Sequence, residues 1–196
     1  MGSQWSRDKA YLRAKHEGYR SRASYKLIEI QDKFSVIRRA DNIVDLGAAP
    51  GSWLQVLRKL TDGIVVGVDL NPIAPINGIV TIEGDFTDPA TREQIRTKVG
   101  QANVVVSDAS PRLSGHKSYD QARSAALVEE ALEFGCSVLK PGGNFVAKVF
   151  QGTDLPGLLA MAQECFHSVR TYHTRSTRKG STELYLIAKN FKGNTK

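Results

Sequence analysis

Cysteine is scarce in this chain of 196 residues. The two present, Cys136 and Cys165, form no CxxC pair and fall in apolar segments. They read as buried reduced thiols, not as a disulfide or a nucleophile. Histidine is nearly as rare. His16, His116, His167 and His173 keep no H-x-x-x-H or other ligand spacing, so no metal residues are expected. No apolar run approaches the roughly 20 residues of a membrane span. Met1 to Arg13 lacks the apolar stretch of a secretory signal. The expectation is a cytoplasmic protein with no membrane partner. Internal repeats and low-complexity segments are missing too. So are G-x-G-x-x-G and G-x-x-x-x-G-K-[ST], which removes the main support for an NAD or ATP site.

What is present is the composition of a soluble domain: 41% hydrophobic and 24% charged residues. The length suits one domain with a sizeable core. The net charge of +7 is unevenly spread. Residues 1–39 carry ten Lys/Arg against four Asp/Glu, residues 40–169 ten against fifteen, and residues 170–196 seven against one. One basic tail alone is as well explained by solvated surface charge. Two basic ends around an acidic middle favour an extended polyanion partner. An anionic membrane is the weaker rival, since no amphipathic segment with bulky apolar anchors accompanies the charge.

Ser6–Arg22 is polar and basic, an arm or a loose helix, and Ala23–Phe34 has apolar residues at helical spacing. Beyond it, β-rich runs alternate with helical ones. The strand candidates are Ile43–Leu46, Ile64–Val68, Ile79–Glu83, Val104–Ser107, Asn144–Val149, Ser168–Tyr172 and Leu184–Ala188. The helix candidates between them are Ser52–Leu60, Pro89–Val99, Tyr119–Leu139 and Leu155–Cys165. The long one sets Ala125, Val128, Leu132, Cys136 and Leu139 on one stripe and stops at Lys140-Pro141-Gly142-Gly143. This alternation predicts an α/β fold with a mostly parallel sheet covered on both faces. The last two strands predict an antiparallel, hairpin-like pair with a turn near Lys179-Gly180.

Ligands of open α/β sheets bind beyond the carboxyl ends of the strands. The first strand runs into Asp45-Leu46-Gly47-Ala48-Ala49-Pro50-Gly51-Ser52-Trp53. Its small residues let the backbone approach a ligand. Its acid suits a cationic sulfonium and amino group better than a phosphate, so S-adenosyl-L-methionine is the expected cofactor. Two more acids end strands. Asp69 can accept from ribose hydroxyls, and Asp85 from an adenine amino group with Phe86 beside the ring. Each carboxylate alone is more often a turn or helix cap. Three in succession beside the glycine loop favour the cofactor reading.

The strand Val104–Ser107 leads into Asp108, and Lys148 lies inside the apolar run Asn144–Phe150. A lysine there is costly unless paired. It either reaches solvent at a sheet edge or works in a cleft as a base.

With Arg20-Ser21-Arg22-Ala23-Ser24-Tyr25-Lys26-Leu27, the Asp45–Trp53 loop, Ser107-Asp108, Lys148-Val149-Phe150-Gln151-Gly152 and Ser181-Thr182-Glu183-Leu184-Tyr185, the chain resembles the FtsJ/RrmJ family of RNA ribose 2'-O-methyltransferases. The resemblance covers nearly all of residues 20–190. It implies a Rossmann-like methyltransferase fold with a seven-stranded sheet, the last strand antiparallel. It also implies a catalytic tetrad of Lys26, Asp108, Lys148 and Glu183. Lys148 would be the base, with Lys26 and Glu183 orienting the ribose; which lysine is neutral stays open. The cofactor set it implies is Asp45, Gly47, Ala48, Pro50, Gly51, Trp53, Asp69, Asp85, Phe86 and Asp108. Arg112 and Tyr25 depart from the family's commoner asparagine and phenylalanine, and neither belongs to the tetrad.

The chain then divides into a basic arm (1–22), a methyltransferase domain (23–190) and a tail (191–196), expected to act as a monomer. The expected partner is RNA. Arg20, Arg22, Arg38, Arg39, Arg175, Arg178 and Lys179 would form a phosphate track, while Trp5 and Tyr11 either stack on bases or simply pack. A uridine of large-subunit rRNA is the favoured target. Val68–Ile76 resembles the tRNA-directed branch, so a tRNA anticodon loop is the alternative. A protein or small-molecule methyltransferase and a non-catalytic RNA-binding protein are the competing classes; the Lys148 and Glu183 motifs argue against both.

Overall fold

The β-branched runs and the helices between them build one twisted sheet in the computed structural model, which describes residues 9–111, 114–177 and 180–193. Its strands are β1 (Ile43–Leu46), β2 (Val65–Asp69), β3 (Val80–Glu83), β4 (Ala102–Ser107), β5 (Leu139–Phe150), β6 (Phe166–Tyr172) and β7 (Glu183–Phe191). Their order is β3-β2-β1-β4-β5-β7-β6. Neighbours from β3 to β5 are parallel, and β7 runs antiparallel to both β5 and β6. Sequence order reverses direction between β1 and β4. That is the switch point at which α/β sheets open a crevice.

Alternation along the strands feeds two cores. Val44, Val105, Phe145, Ala147 and Leu186 pack on the side of α4 (Pro89–Val99), α5 (Lys117–Val138) and α6 (Leu155–Cys165). Ile43, Val104, Val106, Val146 and Ile187 face α2 (Ser24–Phe34) and α3 (Ser52–Leu60). All four residues of β1 are buried, as a central parallel strand covered on both faces requires. Lys148 shares strand parity with Val146, and Glu183 and Tyr185 with Ile187. All three therefore belong to the α2 side of the sheet.

α2 is set so that its first turn lies at the carboxyl ends of the parallel strands. Its last turn lies at the other end, where the Phe34 carbonyl accepts from Lys189 Nζ (2.8 Å) near the finish of β7. Before it comes α1 (Lys9–His16), whose Ala14 is buried. The arm expected over Ser6–Arg22 is thus helical across its middle; Trp5 lies outside the described residues.

Two expectations shift. The Pro-Gly-Gly segment does stop α5, and the extended Leu139 closes it by donating to the Gly135 carbonyl. However, β5 begins at Leu139 and not at Asn144. The pairing with β4 jumps from Ala102↔Leu139 to Val104↔Asn144, so residues 140–143 form a bulge inside the strand. Cys136 and Cys165 are half-buried free thiols beside the α5–α6 core, less enclosed than expected. Burial and the neighbouring Cys165 thiol push Cys136 above the ordinary thiol range. Among the described residues no helix is long and apolar enough to cross a membrane.

Candidate active site

A cleft of about 770 Å³ opens at the switch point. The β1–α3 loop contributes Gly47 and Ala49, the end of β2 Asp69, Leu70 and Asn71, and the end of β3 Asp85, Phe86 and Thr87. Asp108 and Ala109 close it from β4. Gly47 has φ +75°, and a Cβ there would lie 2.6 Å from Ala109 Cβ and 2.7 Å from its Cα. Only glycine lets the two loops pass this closely. Asp69 fixes the loop, since its Oδ2 accepts from the Ala49 N–H (2.9 Å) and its Oδ1 from the Asn71 N–H (2.8 Å). Asp85 Oδ1 accepts from the Thr87 N–H and hydroxyl (2.9 and 2.8 Å). Arg92 holds the Phe86 carbonyl with Nε (2.9 Å) and Glu130 Oε2 with Nη2 (2.6 Å), tying this wall to α4 and α5.

Asp45 lies fully buried, and neither carboxyl oxygen has a hydrogen-bond partner among the described residues. Burial first, then Asp108 and Asp69, pushes it well above the ordinary carboxylate range. Three acids thus converge, with Lys148 beside Asp108 (3.4 Å) and Arg123 elsewhere in the cleft lining, and the excess of carboxylates favours a positively charged guest.

Next to the cleft, on the α2 side of the sheet, four charged side chains meet. Lys26 Nζ pairs with Glu183 Oε1 at 2.6 Å. Lys148 Nζ donates to the Asp108 carbonyl at 2.7 Å and lies 3.4 Å from Asp108 Oδ1. The register explains the meeting. Phe150 of β5 pairs with Glu183, and Lys148 with Tyr185, so the end of one strand faces the start of its antiparallel neighbour. Burial works against the Glu183 charge, but Lys26, Lys148 and the Thr177 hydroxyl (3.2 Å) outweigh it and hold the carboxyl below its usual range.

Tyr185 is the residue that the motif reading passed over. Its hydroxyl donates to Asp108 Oδ1 at 2.8 Å, and Lys26 Nζ lies 5.7 Å from its ring centroid. Burial and the adjacent carboxylates push the phenol well above its ordinary range, so it stays a donor. The available signal was parity: Tyr185 stands two residues after Glu183, on the same face of β7.

Of the expected cofactor residues, Gly47, Asp69, Asp85, Phe86 and Asp108 line the cleft, whereas Asp45, Ala48, Pro50, Gly51 and Trp53 are not among its lining residues. Trp53 is buried against Tyr185, with ring centroids 5.9 Å apart, and its Nε1 donates to the Ala23 carbonyl. Of the expected phosphate track, Arg38 and Arg39 sit at the opposite end of the sheet. They precede β1, and Arg39 pairs with Asp62 at 2.6 Å. The error came from closeness in sequence to Lys26, because α2 carries the chain the full depth of the sheet between them. Arg175 does lie on the active side, with its N–H held by Glu29 (3.0 Å to each oxygen). Arg112, Arg178 and Lys179 lie outside the described residues.

A model of the FtsJ-like methyltransferase family matches residues 19–191. A protein of Methanoregula boonei named ribosomal RNA large subunit methyltransferase E is 72% identical, covering 98% of this chain and 100% of its own. A protein of the same name from Methanoculleus marisnigri is 63% identical, covering 98% and 96%. Among solved structures, a Plasmodium falciparum protein described as a ribosomal RNA methyltransferase superposes with a TM-score of 0.80 at 28% identity, over 90% of this chain and 100% of that one. A Streptococcus mutans protein solved with SAH shares the fold at a TM-score of 0.55 and 13% identity, over 87% and 96%.

Proposed function

Because the chain belongs to the FtsJ-like methyltransferase family, we propose that it transfers a methyl group from S-adenosyl-L-methionine to a ribose 2'-hydroxyl of RNA, with a uridine of large-subunit rRNA as target. The observation that carries this reading is the double position of Asp108. It lines the cleft and also holds Lys148 and Tyr185. One residue joins the place for a methyl donor to the place for a proton acceptor.

The cleft suits the donor's chemistry. Asp45, Asp69 and Asp108 favour a cationic group, and the open passage at Gly47 admits a ligand close to the backbone. Asp69 and Asp85 would take polar hydrogens of the nucleoside, with Leu70 and Phe86 flanking its ring. When bound, S-adenosyl-L-methionine supplies a methyl group activated by a sulfonium. Lys148 Nζ takes the 2'-hydroxyl proton while the Asp108 carbonyl keeps the amine aimed. Lys26 and Glu183, locked at 2.6 Å, fix the ribose orientation.

Transfer of labelled methyl to unmodified large ribosomal subunits, naked rRNA and tRNA tests this. Label on a ribose of the subunit or of rRNA is expected. Label on tRNA alone would keep the chemistry and replace the target with the anticodon-loop alternative. Lys148→Ala is expected to lose roughly 100- to 10,000-fold in rate while still binding RNA and cofactor. A full rate in that variant would remove Lys148 as the base.

A further inference from the structure

Arg20 lies in the basic segment just before Lys26, where an RNA phosphate contact would be the natural reading. Its side chain points elsewhere. Nη1 donates to the Pro50 carbonyl at 2.8 Å and Nη2 to the Pro75 carbonyl at 3.1 Å. Pro50 belongs to the β1–α3 loop, and Pro75 to the connection between β2 and β3. These two loops line the cleft with Gly47, Ala49, Leu70 and Asn71.

The neighbouring main chain is riveted to α3. The Arg20 N–H donates to Gln55 Oε1 (2.8 Å), and Gln55 Nε2 donates back to the Gly18 carbonyl (2.9 Å). The Ser21 hydroxyl donates to that of Ser52 (2.8 Å). Gly51 completes the fit. A Cβ there would stand 2.5 Å from Arg20 Nη1, and its φ of +100° is open to glycine.

We propose that Arg20 is a positioning residue for the cofactor site: its planar fork clamps the two loops that form the cleft, and it does not serve as a phosphate contact. This rests on the reading of the cleft as a methyl-donor site. A guanidinium spans two carbonyls with separate nitrogens; a lysine ammonium on a flexible stem cannot hold both in that geometry. Arg58 Nη1 holds the far end of the same connection at the Gly78 carbonyl (3.0 Å). Loss of Arg20 therefore loosens the two loops at Pro50 and Pro75, while Asp69 still holds Ala49 and Asn71 and Arg58 still holds the far end.

The test is calorimetric binding of S-adenosylmethionine and S-adenosylhomocysteine, without RNA, to the wild type, Arg20→Ala and Arg20→Lys. Methyl transfer to unmodified large subunits and a melting curve accompany it. Both variants are expected to bind cofactor about tenfold more weakly. KM for the cofactor should rise in step, and most of the rate should return at saturating cofactor. RNA affinity and its salt dependence should stay within about twofold of wild type. If cofactor binding holds while RNA affinity falls and its salt slope flattens, Arg20 is a phosphate contact and the proposal fails. It also fails if Arg20→Lys restores everything that Arg20→Ala loses. A wild type that binds no cofactor overturns the reading of the cleft itself, and this proposal with it.

Discussion

The Tyr185 hydroxyl and ring do separate work: the first holds Asp108, the second packs on Trp53. Tyr185→Phe removes only the first. The expected result is a lower kcat together with a melting temperature lowered by a few degrees, since a hydrogen bond to a charged group stabilises by about 1.5–3 kcal/mol; steady-state kinetics and a thermal scan check both. Glu183 makes a pH prediction. Its folded pKa lies below the ordinary carboxylate value, so its contribution to stability is complete above about pH 4.3 and fades as pH falls through the lowered folded value. Glu183→Gln leaves Lys26, with 10% side-chain exposure, without its ion-pair partner. The loss should be about 1–3 kcal/mol at pH 7, below the range for fully buried pairs because both partners keep some exposure. Urea titrations of wild type and variant should converge in acid. A gap that persists unchanged at pH 3 would assign the effect to packing.

The β1–α3 loop and the start of the β4–α5 connection meet at Gly47 and Ala109 with no room for another carbon. Gly47→Ala combines a clash against backbone with a left-handed φ, at a cost of about 1–3 kcal/mol. The loop must move into the cleft or away from it. Cofactor binding should fall at least tenfold, read by calorimetry, and retained affinity would show the passage to be less tight. This loop was legible in the sequence because small residues after an apolar strand have a local meaning. So were the seven strands and the acids at their ends. The tetrad came through family resemblance, as Lys26, Asp108, Lys148 and Glu183 carry no local signal that would join them. Three features escaped for one reason. Arg20 at two loops, Tyr185 on Asp108 and the insertion of β7 between β5 and β6 are all long-range pairings. Alternation tells which face a residue takes and not which neighbour it meets.

Over the whole molecule the basic ends lie apart in sequence, yet the fold brings selected parts of each to the carboxyl ends of the strands. Arg175 is exposed there, on the connection that leads from β6 to Glu183. Arg175→Ala should weaken RNA binding and reduce the slope of log affinity against log salt by about one; Arg39→Ala, at the far end beside Asp62, should leave that slope alone. Filter binding at four salt concentrations separates the two. The position of β7 has a further consequence, for the order of assembly. β6 is made first but has no place in the sheet until β7 slides between it and β5. The same late strand brings Glu183 to Lys26 and Tyr185 to Asp108. A partly synthesised chain can therefore close the crevice from β1 to β4 while its charged cluster is still open. Catalytic competence should therefore wait on β7, the last strand to be synthesised.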